Sequence, residues 1–250
     1  MKKISLFLLL LFVCVLSSYA ASVKVAAAAN LRFVLEEIKK QYEKEHPGVS
    51  LDLTFGSSGT LTTQIVNGAS FDVFFAADVN FPKKVEAAGF AATPVKVYAY
   101  GKVAMYSTTV DVTKGLNVVL QSSVRKVSIA DPKKAPYGEY SVATLKKKGL
   151  YDKIASKIVW GENISQAAQF AFSGNAEVGF IAYSYAMAPD MRGKGKVYVL
   201  PTKDCPPIEQ AYVLLKQGAK NADAKAFMAY AVSSKCAKIW AAFGYGLPRK

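Results

Sequence analysis

Histidine is almost missing from this sequence: His46 is the only one among 250 residues, and it stands just before Pro47 where a helical pattern stops. A serine or cysteine nucleophile needs a nearby base, so a Ser-His-acid or Cys-His centre has little to be built from. Nor does Gly56-Ser57-Ser58-Gly59 have the G-x-S-x-G spacing of a hydrolase elbow. No Gly-Lys-Ser/Thr follows a glycine turn, which excludes a Walker-type phosphate loop. Asp72, Asp78 and Asp131 are too dispersed along the chain to read as a metal cage. Acidic residues are also in short supply, 18 against 32 basic ones, which leaves a formal charge of +14. The lysines are scattered, at Lys39-Lys40, Lys83-Lys84, Lys133-Lys134 and Lys146 to Lys148, with no zinc-finger spacing, RNA-binding motif or arginine-rich stripe beside them. That pattern describes solvated faces with a mild long-range pull on anions and excludes a nucleic-acid partner.

Long apolar runs are confined to the start of the chain. Lys2 and Lys3 form a basic region, Leu6 to Leu16 an apolar one, and Ser18-Tyr19-Ala20 a small-residue cleavage site before Ala21. This is the layout of a secretory signal peptide over residues 1–20, and it implies a periplasmic location. The run is too short to span a membrane, which takes roughly 20 residues. Leu11-Phe12-Val13-Cys14 offers the alternative of lipid attachment at Cys14, although Val13 is bulky for that role and the apolar run continues past the cysteine. Cleavage leaves enough chain for one large domain or two lobes of about a hundred residues each. The remaining cysteines, Cys205 and Cys236, read either as a disulfide or as two small buried thiols.

What the sequence does have is repeated alternation of short apolar runs and amphipathic helical patterns. Val23 to Ala28 reads as a strand. It is followed by a helix with Leu31, Val34, Leu35, Ile38 and Tyr42 on one face, and His46-Pro47-Gly48 ends it. Leu51 to Phe55, Phe71 to Ala76, Val95 to Met105, Val127 to Ala130, Ile158 to Trp160, Val178 to Ala182, Val197 to Leu200 and Gln210 to Leu215 read as further strands. Helices are expected over Tyr140 to Lys148, over Ile164 to Phe172 and near the C-terminus. Such alternation predicts an α/β fold with mostly parallel sheets, and the absence of a Gly/Ser tether makes any lobe boundary a packed crossover.

Four places share one design, a strand end followed by a small or polar turn and a helix start. They are Ala27-Ala28-Ala29-Asn30-Leu31, Phe55 to Leu61, Asp131-Pro132 through Pro136-Tyr137-Gly138, and Gly161-Glu162-Asn163-Ile164-Ser165. A helix N-terminus leaves backbone N–H groups unpaired and carries partial positive charge, so it attracts anions. Small side chains let an oxygen approach the backbone, and Asn30 and Ser58 each carry a further donor. Either residue serves equally well as an ordinary helix cap, with no ligand required.

These motifs, with Asp72-Val73-Phe74-Phe75-Ala76-Ala77-Asp78 and Gly179-Phe180-Ile181-Ala182-Tyr183, occur in the order found in the periplasmic molybdate-binding proteins of ABC importers, which the chain resembles from about Ser22 to about Leu247. The resemblance implies a two-lobed type II periplasmic-binding-protein fold, with lobe I over 21–99 and 209–250, lobe II over 100–208, and the ligand in the cleft between them. It implies a non-enzymatic, monomeric protein without a cofactor, which captures molybdate or tungstate and hands it to a membrane permease. Carried over by position, Asn30 and Ala29 supply the first turn, Ser58 the second, and Tyr137 and Ile164 the two loops of the other lobe. Tyr137 contributes a backbone N–H and, in some members, a hydroxyl. Some relatives place a ligand tyrosine where this chain has Ala182, so Tyr183 falls one residue late and, on a strand, faces the other way. Another oxyanion such as sulfate is the alternative ligand, and a hydrolase using Ser58 the alternative activity.

Overall fold

The computed structural model describes residues 21–248; the signal peptide and the Cys14 alternative lie outside the described residues. The strands are β1 (Ala21–Ala28), β2 (Val49–Gly56), β3 (Val73–Phe75), β4 (Lys96–Gly101), β5 (Val103–Ser107), β6 (Val127–Ala130), β7 (Ile158–Gly161), β8 (Val178–Ala182), β9 (Lys196–Val199) and β10 (Ile208–Leu214). The α-helices are α1 (Arg32–Glu45), α2 (Ser58–Val66), α3 (Asn80–Ala87), α4 (Pro136–Lys147), α5 (Tyr151–Ile154), α6 (Ile164–Phe172), α7 (Tyr183–Ala186), α8 (Ala222–Ala231) and α9 (Ala237–Ala242).

They form two five-stranded sheets, ordered β2-β1-β3-β10-β4 and β7-β6-β8-β5-β9. In the first, β10 pairs antiparallel with both β3 and β4 while the other pairings are parallel. In the second, β5 is reversed in the same way. Four strands of each sheet therefore run one way, and the single reversed strand is the one delivered by a chain crossover. The continuous strand expected from Val95 to Met105 is divided at Lys102, where the chain leaves the first sheet and enters the second. The sign of the change of sheet was the Gly101-Lys102 pair with its exposed lysine; the flanking strand ends are both buried, so the apolar residues on either side read as one strand.

Side-chain alternation sets the layers. On β1, Val23, Val25 and Ala27 join the large core with Leu35, Ile38, Phe227 and Trp240, whereas Ala26 joins Leu61, Ile65, Phe74 and Val85 on the other face. A period-two strand buried on both sides needs this near-continuous apolar sequence. Helix α1 presents Val34, Leu35, Ile38 and Tyr42 inward and ends where His46 stacks on Tyr42 and Gly48 turns at φ +95°. Helix α3, which the sequence pattern did not announce, begins after Asp78 accepts a hydrogen bond from the Phe81 N–H at 3.0 Å. Cys205 and Cys236 are both buried free thiols, so of the two readings open in the sequence the disulfide does not form. Among the described residues, no helix is long and apolar enough to cross a membrane.

Candidate functional site

The four strand-to-helix turns converge on one small cavity between the two sheets, lined by Ala29, Asn30, Ser57, Ser58, Tyr137 and Ile164 among others. Its volume is about 10 Å³, against 250–470 Å³ for the open surface depressions elsewhere. No charged side chain lines it.

At the first turn, β1 gives way to a single 3₁₀ turn, Ala29–Leu31, before α1. The backbone carbonyls here are taken: Tyr185 Oη donates to Ala29 O at 2.9 Å, while Ser184 Oγ and Tyr245 Oη donate to Asn30 O at 3.0 and 2.8 Å. Asn30 is not a helix cap. Its amide lies in a buried network with Gln210 and Tyr245.

At the second turn the capping work falls to Ser57, whose Oγ accepts from the Thr60 N–H at 3.1 Å. Ser58 is thereby left for another role. Its Oγ accepts from the Ala77 N–H at 2.9 Å, which fixes the hydroxyl and leaves its proton to donate. Gly59 is required by close approach, since a Cβ there would sit 2.9 Å from Lys134 Cα on the opposing loop. Across that gap the Gly59 N–H donates to Lys134 O at 2.9 Å.

The third and fourth turns come from the second sheet. Helix α4 begins at Pro136, four residues before the expected Tyr140, so Tyr137 lies in the first turn. A Pro at the first helical position suits a site where an N–H has no intrahelical partner. Asn163 caps α6, accepting from Ser165 and Gln166 N–H at 2.9 and 3.1 Å, so the cap leaves the Ile164 N–H free.

One feature unites the four turns. Ala29, Asn30, Ser58, Tyr137 and Ile164 are all at least 97% buried, yet among the described residues none accepts a hydrogen bond from their backbone N–H groups. Buried unpaired amides are rare and costly, about 1–3 kcal/mol each. Five around one cavity form a site that asks for an acceptor-rich guest.

The chain matches the model of bacterial extracellular solute-binding proteins over residues 23–246. It belongs to that family. It is 37% identical over 231 residues to the molybdate-binding protein ModA of Rhodobacter capsulatus, covering 92% of this chain and 90% of that one. It is 38% identical over 233 residues to ModA of Azotobacter vinelandii, with 92% of each covered. The solved periplasmic molybdate-binding protein of Azotobacter vinelandii superposes with a TM-score of 0.85 at 33% identity, over 91% of this chain and 100% of that one. The two sheets and their crossovers are thus those of a periplasmic binding protein.

The structure brings Ala29, Asn30, Ser58, Tyr137 and Ile164 together around one cavity. Tyr183 is not among them: its ring packs against Gly244, and its N–H donates to Lys102 O at 2.9 Å. The Tyr137 hydroxyl lies 2.8 Å from the Gln210 side-chain amide, so that phenol is engaged with the first sheet. Burial raises the Tyr137, Tyr98 and Tyr245 hydroxyls above the ordinary phenol range, which keeps all three protonated. Sequence reasoning missed the supporting residues Gln210, Tyr98, Tyr185, Ser184 and Tyr245. They are distant in the chain, and the only available sign was polar residues inside otherwise apolar strands. Asp78, next to the cavity-lining Ala77, is buried, and desolvation raises its carboxyl above the usual range, with Glu139 on α4 adding to the effect.

Proposed function

We propose that this protein captures molybdate, and tungstate equally, in the cleft between its sheets and delivers it to the membrane permease of an ABC importer from the periplasm. The lobe bounds expected at 99/100 and 208/209 move slightly, because β4 runs to Gly101 and β10 starts at Ile208: lobe I comprises residues 21–101 and 208–250, lobe II residues 102–207, and the crossovers at Lys102 and before β10 serve as hinges. The ligand accepts hydrogen bonds from the backbone of Ala29, Asn30, Ser58, Tyr137 and Ile164 and from the Ser58 hydroxyl. The observation that carries this reading is the set of five buried N–H groups without acceptors, drawn from both sheets around one uncharged cavity.

The physics favours a doubly charged, fully deprotonated oxyanion. Helix-start dipoles balance the charge without a buried cation that would first have to be dehydrated. A site built of donors repels a guest with its own O–H, which disfavours hydrogen phosphate. Sulfate has the right charge but is smaller, and leaves buried donors unpaired at about 1–3 kcal/mol each. Titration calorimetry with molybdate, tungstate, sulfate and phosphate checks the assignment: the first two bind tightly and the others weakly. Tight sulfate binding with no heat from molybdate would overturn it.

A further inference from the structure

Gln210 is wholly buried on β10, away from the cavity, and it joins the two sheets behind the site. Its amide carbons sit among Tyr98, Asn30 and Tyr137: one amide atom lies 2.9 Å from Tyr98 Oη and 3.0 Å from the Asn30 amide, the other 2.8 Å from Tyr137 Oη. Proton accounting discriminates between the two ways of orienting these amides. With Oε1 toward Tyr98 and Asn30, the single Tyr98 proton faces both Gln210 Oε1 and Ala76 O, each at 2.9 Å. Asn30 Nδ2 then points away from the cavity, and Asn30 Oδ1 is a buried acceptor with no donor. Turning both amides together relieves Tyr98 and gives Asn30 Oδ1 a donor, with one shared proton left at Tyr245. What decides between the two is that the Asn30 atom without a partner is then a donor rather than an acceptor. Gln210 Nε2 donates to Tyr98 Oη and Asn30 Oδ1, Tyr98 donates to Ala76 O alone, and Tyr137 donates to Gln210 Oε1. Tyr245 Oη, 2.9 Å from the Asn30 amide, has one proton, which it then shares between Asn30 O at 2.8 Å and Asn30 Oδ1. The one atom left without a protein partner is Asn30 Nδ2, on a residue that lines the cavity.

We propose that Gln210 is a positioning residue: its Nε2 holds the Asn30 carboxamide with Nδ2 toward the bound oxyanion, while its Oε1 secures Tyr137 of the opposite lobe. This rests on the oxyanion reading given above. Gln210 touches no ligand; it decides whether Asn30 offers the anion a donor or an acceptor, and it links that choice to the meeting of the lobes.

The experiment is side-chain amide NMR of ¹⁵N-labelled protein, with the Asn30 NH₂ pair assigned by its loss in Asn30→Asp, together with calorimetry of Gln210→Glu using sodium molybdate. In the unaltered protein the Asn30 NH₂ resonances shift strongly on addition of molybdate, while those of Gln210 move little. In Gln210→Glu a carboxylate that only accepts draws Asn30 Nδ2 toward itself and turns Oδ1 to the anion. Affinity at pH 8 falls at least about ten-fold, and the Asn30 shift is lost. Asn30 NH₂ resonances that ignore molybdate while the protein binds it would overturn the inference, whether or not the variant folds. So would a Gln210→Glu protein of unchanged affinity. No heat from the unaltered protein with molybdate would instead strike at the oxyanion reading itself.

Discussion

Between Ser57 and Ser58, the cap and the donor are divided between neighbours. Ser57 closes the first turn of α2 and Ser58 is tied to Ala77, so its hydroxyl proton has a fixed direction and no structural duty. Ser58→Ala therefore removes one hydrogen bond to a charged group and weakens molybdate binding by roughly 1.5–3 kcal/mol, and it also lowers stability by about 1–3 kcal/mol because the buried Ala77 N–H loses its acceptor. Calorimetry beside a melting curve separates the two; equal affinity would return Ser58 to scaffolding. Asp78 makes a different prediction. Its carboxyl is raised by burial, so the folded state holds this proton more firmly than the unfolded chain. Stability accordingly falls as pH rises from the ordinary carboxylate range through the raised value. Asp78→Asn keeps the acceptor for Phe81 N–H without the charge, and so melts higher than the parent at pH 8 and alike at pH 3. A variant less stable at both pH values would refute that account.

Among the elements, strands and helices were largely legible because each buries a face with the right period. Val23 to Ala28 and α1 are examples, and even the reversed strand of the first sheet, Gln210 to Leu215, was visible as an apolar run. What stayed hidden depended on tertiary partners. The break at Lys102 rests on one exposed lysine between two buried strand ends, α3 starts on a single Asp78 contact, and α4 begins earlier than its amphipathic pattern because Pro136 supplies the start. The turns were legible as anion sites from their small residues, yet which serine capped and which was free was not, since both stand one step apart. Gly59 shows how closely the turns of opposite sheets meet. Gly59→Ala pushes a methyl against the Lys134 backbone, and overpacking of this kind costs about 1–3 kcal/mol. Because the tightest contact is with the opposing loop and the Phe81 ring at 3.2 Å can give way, the expected outcome is roughly ten-fold weaker molybdate binding with a small change in melting temperature. A large drop in melting temperature with intact affinity would locate Gly59 in the lobe's own packing instead.

For the whole molecule, the excess of lysine that stands out in the composition has little part in the site. Lys83, Lys84 and Lys133 surround an open depression at the cleft's edge, whereas the cavity itself has no charged residue on its walls. The two sheets share one plan, a reversed strand next to last in the order, and this symmetry is what brings two helix starts from each to a common point. A dianion held between them completes both halves at once, which gives capture its link to closure. Anomalous diffraction at the molybdenum edge, from crystals grown with molybdate, tests this most directly. The account predicts one strong peak at the centre of the cavity, with the ion's oxygens within hydrogen-bond distance of the Asn30, Ser58, Tyr137 and Ile164 N–H groups. A peak beside Lys83, Lys84 and Lys133, with the cavity bare, would contradict it.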